Sequence, residues 1–357
     1  MLIFRPVEMR DLDDLVTMAG SAGKGLTTLP ASAELLAARI NEARDSFEQR
    51  NAPEAGLFLF ALEDTEANRC VGISGIQARV GLDEVFYNYR LSLSVNASRE
   101  LGIHVRTPTL HLTNDMTDTT EIGSLLLDRG WRGGGNGLLL SRSRFLFLAC
   151  FRRCFSGKVF AEMRGVSDGR GRSPLWDALG SKFFDMDFAE ADYRSVAGNR
   201  SFIAELMPKY PIYLPMLPEA ARAVVGRVHQ QTEPALKMLQ SEGFNFNGLV
   251  DIFDGGPVVE AFVHNIRTVR DTVKKDVLIS RKPMVEEPRG SPVMICNASF
   301  RDFRVTRIPA NWLRYDVVRL PPEVAQALLV ESGDQVRLAP LKEGAVLPTD
   351  NNEAGHY

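Results

Sequence analysis

The stretch EIGSLLLDRGWRGGGNGLLLSRSRFLFLACFRRCF, residues 121–155, decides how the rest of the chain is read. Residues 122–127 are an apolar run of strand length that breaks at Asp128-Arg129-Gly130. Arg132-Gly133-Gly134-Gly135-Asn136-Gly137 follows, and then Leu139, Arg142, Ser143, Leu146 and Cys150 recur at helical spacing. The order is strand, glycine loop, helix. Glycines let a backbone come close to an anion, and the first amides of a helix have no acceptor within it, so the loop is a candidate anion site. It lacks the Lys-Ser/Thr of a Walker A loop, and Leu138 breaks the G-x-G-x-x-G spacing of a dinucleotide fingerprint. An ordinary glycine-rich connection would read the same over six residues, so the wider sequence has to decide.

Composition narrows the field. A chain of 357 residues, 45% hydrophobic and 24% charged, suits a globular protein with one sizeable core and an added domain. A formal net charge of -3 gives nucleic-acid binding no support, and the basic runs Arg152-Arg153 and Lys274-Lys275 are short enough to be solvated faces. No apolar run approaches the roughly 20 residues of a membrane span, and the chain begins on a strand-like LIFRPV, so a cytoplasmic location is expected. The cysteines at 70, 150, 154 and 296 show no C-x-x-C spacing. Cys150 and Cys154, one helical turn apart among Phe and Leu, read as buried packing. Neither a disulfide nor a metal site is expected, since the histidines at 104, 111, 229, 264 and 356 also lack metal-ligand spacing.

Along the chain, residues 2–7 read as a strand, residues 11–18 as a helix with an acidic first turn, and residues 33–50 as an amphipathic helix with Leu36, Ile40, Ala43 and Phe47 on one face. Residues 57–62 and 71–78 form a hairpin-like pair. Residues 91–95, 109–112, 158–163, 201–207 and 249–253 are further strands, and Ser173-Pro174 opens a helix through Phe184. The alternation implies a mixed α/β fold. Residues 208–247, with helices at about 218–227 and 234–242, are too long and too patterned for a simple loop and read as an active-site insertion. The domain layout expected is 1–268 for the main domain, 269–290 for a polar linker, 291–342 for a small β-rich domain, in which a barrel is one option, and 343–357 for a tail.

Arg132, Gly135 and Gly137 satisfy the pattern R/Q-x-x-G-x-G/A after a strand, which resembles the acyl-CoA pyrophosphate loop of the GCN5-related N-acyltransferases. Further blocks extend the resemblance: Phe4-Arg5-Pro6-Val7, Gly25-Leu26-Thr27-Thr28-Leu29-Pro30, Tyr87-Asn88-Tyr89-Arg90, Ala161-Glu162-Met163-Arg164-Gly165, FIAELMPKYPIY at 202–213 and DIFDGGP at 251–257. Together these blocks, in order over roughly 1–261, resemble the arginine N-succinyltransferase family. The resemblance implies an acyltransferase-type sheet flanked by helices. It also implies transfer of succinyl from succinyl-CoA to the α-amino group of L-arginine, in arginine catabolism, by direct attack of the amine on the thioester. Succinyl-CoA would be a co-substrate, with no permanently bound cofactor. Two other readings stay open: an acyltransferase acting on ornithine or another amine, and a CoA-binding structural subunit of a hetero-oligomeric transferase. Partners would be L-arginine, succinyl-CoA and either further copies of the chain or a related subunit.

The resemblance also points to particular residues. The strand before the loop would splay from its neighbour and offer a backbone amide to the thioester oxygen, which makes Leu125 the candidate contact. Arg132, Gly133, Gly134, Gly135 and Gly137 would hold the pyrophosphate. His229, in VHQQT at 228–232, matches the family's general acid, with Gln230 where a proline is usual. Asn136, between two glycines, is expected to take a left-handed conformation without a chemical role. For the acceptor, Glu162, Asp115, Glu121 and Arg90 lie in matching blocks, but spacing does not say which of them face a ligand rather than forming surface ion pairs.

Overall fold

The computed structural model describes residues 1–22, 29, 32–49, 55–168, 171–184, 186, 188, 191, 205–280, 284, 291–314, 316–345 and 347. β1 (Leu2–Pro6) leads through α1 (Leu12–Ala22) and α2 (Ala33–Phe47) into β2 (Leu57–Asp64), β3 (Arg69–Gln77), β4 (Asn88–Ser98), β5 (Ile103–Thr113) and β6 (Thr120–Leu127), and so to α3 (Asn136–Cys150). Next come β7 (Lys158–Glu162), α4 (Pro174–Ala178), α5 (Ser181–Phe184), β8 (Ile212–Tyr213), α6 (Glu219–Val224), α7 (Glu233–Gln240), β9 (Asn245–Val250), β10 (Pro257–Phe262) and α8 (Arg267–Arg270). The chain ends with β11 (Val273–Ile279), β12 (Val293–Cys296), β13 (Val305–Ile308), β14 (Leu313–Arg314), β15 (Val317–Leu320), α9 (Pro322–Leu328) and β16 (Gln335–Pro340).

The strands join into a mixed sheet in the order β14-β15-β11-β16-β12-β13-β1-β2-β3-β6-β7-β10-β9-β4-β5-β8. Neighbours are antiparallel except β6 with β7 and β11 with β15, which are parallel. The fold is therefore mixed α/β with a β-rich C-terminal portion. That portion pairs edge to edge with the rest through β13 and β1, and its strand order is linear among the described residues rather than closed into a barrel.

α3 is the hub. All its residues from Leu139 to Ala149 are buried, the polar run Ser141-Arg142-Ser143-Arg144 included. Phe147 meets Phe60 at 5.0 Å on one side and Phe303 at 5.0 Å on another, so one side chain ties the N-terminal strands to the C-terminal ones. α2 is capped by the Ser32 hydroxyl, which accepts from the Leu35 N–H, and it buries Leu36, Ile40, Ala43 and Phe47 as its periodicity predicts.

Several local expectations change. The stretch taken as a linker carries β11, whose alternation is hidden in sequence by Lys274 and Lys275; Val277 and Lys275 turn inward while Lys274, Asp276 and Leu278 turn out. The helix opened by Ser173 is two helices, parted at Leu179 (φ -123°, ψ -70°) and at Gly180, which lies against Trp176 where an added Cβ would fall 2.2 Å from the ring. Of the strand expected at 201–207, residues 201–204 lie outside the described residues and Glu205-Leu206 are helical. The strand expected at 249–253 begins earlier, at Asn245, and ends at Val250, and a further strand, β10, follows it. β4 and β5 are longer than their apolar cores suggest and form a hairpin whose outer part exposes Leu93, Val95, Ile103 and Val105. None of the four cysteines is in a disulfide, and Cys150 Sγ lies 3.8 Å from Cys296 Sγ. Of the expected tail, Leu347 is buried in the C-terminal core, while 346 and 348–357 lie outside the described residues.

Candidate active site

β6 and β7 start as parallel partners, Thr120 opposite Val159 and Glu121 opposite Phe160, and then part. On its other edge β6 breaks register with β3: Ile73 faces Leu126 and Gly75 faces Gly123, so Ser124 and Leu125 together stand opposite Ser74. This is a β-bulge, which bends a strand and re-aims its backbone. Ser124 sits at φ 52°, a left-handed conformation rarely held by a residue with a side chain. A strained bulge in a strand that has left its neighbour is the geometry needed to present an unladdered amide to a ligand.

A cleft of about 820 Å³ opens there. Its walls include Glu121 to Leu127 of β6 with Asp128 beyond them, Ala161 to Arg164 at the end of β7, and Gln231, Thr232 and Met238 around α7. The glycine loop stands at its end. Gly133, Gly134 and Gly135 take φ of 109°, 56° and 83°, three left-handed residues in succession, with Gly135 as the N-cap of α3. Such a run is open to glycine alone at low cost, and it turns backbone N–H groups to a common side at the helix N-terminus. Gly137 faces α7, where an added Cβ would lie 4.0 Å from Met238 Sδ. Asn136 is not left-handed: it is the first residue of α3, and its amide donates to the Trp131 carbonyl at 2.9 Å, closing the loop on itself.

Of the residues singled out in sequence, Leu125, Arg132 and Gly137 line the cleft, and Gly133, Gly134 and Gly135 form the loop at its mouth. His229 is half-buried on the rim, next to Gln231 and Thr232 of the wall. Its N–H donates to the Arg164 carbonyl at 2.8 Å, and its carbonyl accepts from Thr232 at 2.8 Å. These bonds hold the residue in place without a proline at 230. The ring Nδ1 accepts from the Gln231 N–H at 3.1 Å, so the neutral ring carries its proton on Nε2. Burial, and then the neighbouring Arg164, hold its pKa below the ordinary histidine value.

The acceptor candidates separate. Glu121 and Glu162 are on the cleft wall, and Glu162 accepts from the Asn88 amide at 2.7 Å. Arg90 and Asp115 pair with each other on the surface, Nε to Oδ2 at 2.9 Å, away from the cleft. Two further blocks prove to be halves of one clasp. Asp254 accepts from the Gly165 N–H at 2.6 Å and the Gly256 N–H at 2.8 Å, and a Cβ on Gly256 would lie 2.0 Å from the Met163 carbonyl oxygen. Burial and the adjacent Asp251 push the Asp254 carboxyl well above the usual carboxylate range. Sequence reasoning missed Ser124, Asp251, Asp254 and Arg144, all on this wall or in its bulge. The DIFDGGP block was the one visible signal for the two aspartates. Among the described residues no group of three or more His, Cys, Asp or Glu is placed to hold a metal, and no helix is long and apolar enough to cross a membrane.

Comparison with known proteins agrees over the full length. Residues 2–268 match the family model described as arginine N-succinyltransferase beta subunit, and residues 279–340 match its C-terminal domain. The chain is 44% identical to an arginine N-succinyltransferase of Yersinia pestis, covering 96% of this chain and 98% of that protein. It is 47% identical to an arginine N-succinyltransferase subunit beta of Pseudomonas aeruginosa, covering 95% and 98%. A solved structure of arginine/ornithine succinyltransferase subunit AI from Pseudomonas aeruginosa superposes with a TM-score of 0.86 at 34% identity, over 96% of this chain and 99% of that one. By family model, by relatives at 44–47% identity and by fold, this chain belongs to the arginine N-succinyltransferase family, a family of acyltransferases.

Proposed function

We propose that the chain transfers the succinyl group of succinyl-CoA to the α-amino group of L-arginine, in the cytoplasm, as a step of arginine catabolism. The observation that carries this reading is the bulge at Ser124-Leu125, where β6 has left β7 and a left-handed glycine loop caps the same cleft. In this reading the loop amides and Arg132 hold the pyrophosphate, and the thioester carbonyl lies against the Leu125 amide. The neutral amine attacks the carbonyl carbon, and the Leu125 N–H stabilises the oxyanion. Collapse breaks the C–S bond and expels the CoA thiolate, while the nitrogen gives its proton to solvent. His229, its pKa held below the ordinary histidine value, donates an Nε2–H hydrogen bond to the developing thiolate in place of the full proton transfer that the family resemblance implies, and the thiolate takes its proton from water. Glu121 and Glu162 supply carboxylates of the kind a guanidinium calls for.

A thiol-release assay tests this, with succinyl-CoA and acetyl-CoA against L-arginine, L-ornithine and simple amines. Succinyl-CoA with L-arginine should give the highest turnover, with no metal added. A higher rate for acetyl-CoA with a non-amino-acid amine would overturn it. Ornithine stands as the second acceptor because the superposed Pseudomonas protein is named for both amino acids. We further propose that the chain assembles with a second copy or a related subunit, on the naming of its relatives as subunits and on the exposed apolar arm of β4 and β5. A chain that binds succinyl-CoA yet transfers nothing until a partner is added would favour the binding-subunit reading.

A further inference from the structure

Four arginines are buried among the described residues: Arg5, Arg142, Arg144 and Arg267. Arg5 pairs with Asp11 and Glu63, and Arg142 and Arg267 share Glu242. Arg144 has no acidic partner among the described residues, although it is 2% exposed. Its Nε donates to the Ser141 carbonyl at 3.1 Å, its Nη2 to the Ser141 hydroxyl at 3.0 Å, and its Nη1 to the Gly123 carbonyl at 3.3 Å. A guanidinium has five N–H donors, so these bonds leave one hydrogen on each terminal nitrogen, the fork that matches a carboxylate. Burial lowers its pKa to about 9, which still leaves it charged at neutral pH. An unpaired buried cation is destabilising, and folds keep one where it meets a charge that arrives later.

Its place says which charge that is. Arg144 lines the cleft, and Gly123, which it holds, immediately precedes the Ser124-Leu125 bulge. An acyl group whose carbonyl rests on the Leu125 amide has its far end close by, and in succinyl that end is a carboxylate two methylenes on. The other cleft arginines do not compete for it. Arg129 and Arg132 are exposed beside the glycine loop, and Arg164 is bonded to Ser167 by His229. The acceptor's guanidinium would be repelled by Arg144 and drawn toward Glu121 and Glu162 instead. Resting on the acyl-transfer reading above, we infer that Arg144 pairs with the distal carboxylate of the acyl group and makes the enzyme selective for dicarboxylic acyl thioesters.

The test compares kcat/KM for succinyl-CoA and butyryl-CoA, which has the same chain length but a methyl end, with L-arginine as acceptor, in the full-length protein. Arg144→Met should lose roughly 10²- to 10³-fold with succinyl-CoA, as expected when one partner of a buried ion pair is removed, and keep or gain activity with butyryl-CoA. Its ligand-free thermal midpoint should shift little, because the three hydrogen bonds lost to Ser141 and Gly123 are offset by removal of a buried charge that has no acid beside it without substrate. Arg144→Lys, which keeps the charge but not the fork, should recover part of the preference; if the Met variant does not fold, Arg144→Gln is read by the same donor ratio. An unchanged succinyl-to-butyryl ratio would overturn the role of Arg144. So would an arginine KM that rises equally with both donors, since Arg144 would then be reading the acceptor's α-carboxylate. A parent enzyme that uses no succinyl-CoA would overturn the proposed function itself, and that outcome is read before any variant is made.

Discussion

His229 shows what a single residue's surroundings add to its identity. In sequence it is one of five histidines, and its ordinary pKa of about 6.5 leads to a pH limb near neutrality. In the structure the Gln231 N–H occupies Nδ1, and burial with Arg164 lowers the pKa. The sign follows: the imidazolium forms only as pH falls below the ordinary value, and protonating Nδ1 turns an acceptor into a donor facing another donor. The limb that depends on the neutral ring therefore lies on the acid side of the ordinary histidine value, with activity lost as pH falls through it. His229→Ala should lower kcat by roughly 10²- to 10³-fold, as when a hydrogen-bond donor to charge developing in the transition state is lost, abolish that acid limb, and leave succinyl-CoA affinity and thermal midpoint near those of the parent. Retention of parental kcat and of the limb in a stable variant would make His229 a bystander.

Among the elements, the strand, glycine loop and helix of 121–155 were legible because each is written in local chemistry: an apolar run, left-handed glycines, and a period of 3.6. Gly135 is where this becomes testable. At φ 83° it starts α3, and Gly135→Val would put a β-branched side chain in a conformation costing roughly 1–3 kcal/mol, forcing the loop out of shape. Isothermal titration should show succinyl-CoA affinity falling at least about tenfold, which corresponds to roughly 1.4 kcal/mol. Parental affinity in the folded variant would mean that the loop does not hold the phosphates. The bulge in β6 was not legible, since EIGSLLL reads as a regular strand and the extra residue exists only relative to β3. The outer β4-β5 hairpin was underestimated for a related reason: its apolar residues are exposed, so no burial rhythm marks where the strands end.

At the scale of the whole molecule, the C-terminal strands had no readable purpose in sequence, yet they reach the site. Arg307 of β13 donates to the Gly134 carbonyl at 2.6 Å, and Leu341 lies 3.5 Å from where a Gly135 Cβ would be. Arg142 of α3 bonds the Leu341 carbonyl, and Arg267 of α8 donates to the Pro340 carbonyl at 3.2 Å. Glu242, 1% exposed, sits between the two cations at 2.7 Å from each. It also accepts from the Thr268 N–H at 2.7 Å. Glu242→Ala would leave two buried guanidinium groups without their acid, and should cost about 3–5 kcal/mol, seen as a lower midpoint in chemical denaturation. An unchanged midpoint would show that the C-terminal strands are held by the aromatic contacts of Phe147 instead.

The sequence by itself determined the elements whose causes are local: the amphipathic α2, the glycine loop and its helix, the two helices of the insertion, and the mixed α/β class that their alternation implies. Family motifs in the same sequence named His229 and Leu125, but nothing local placed either beside a ligand. Tertiary structure alone decided that β6 parts from β7, that Ser124 and Leu125 bulge into the gap, and that Glu121 and Glu162 face the cleft while Arg90 and Asp115 do not. It also decided that Arg142 finds Glu242 while Arg144, two residues on, finds no acid among the described residues. The physical reason is the range of each cause. Propensity and turn chemistry act over a few residues, whereas register and ion pairing depend on groups that folding brings together from distant parts of the chain.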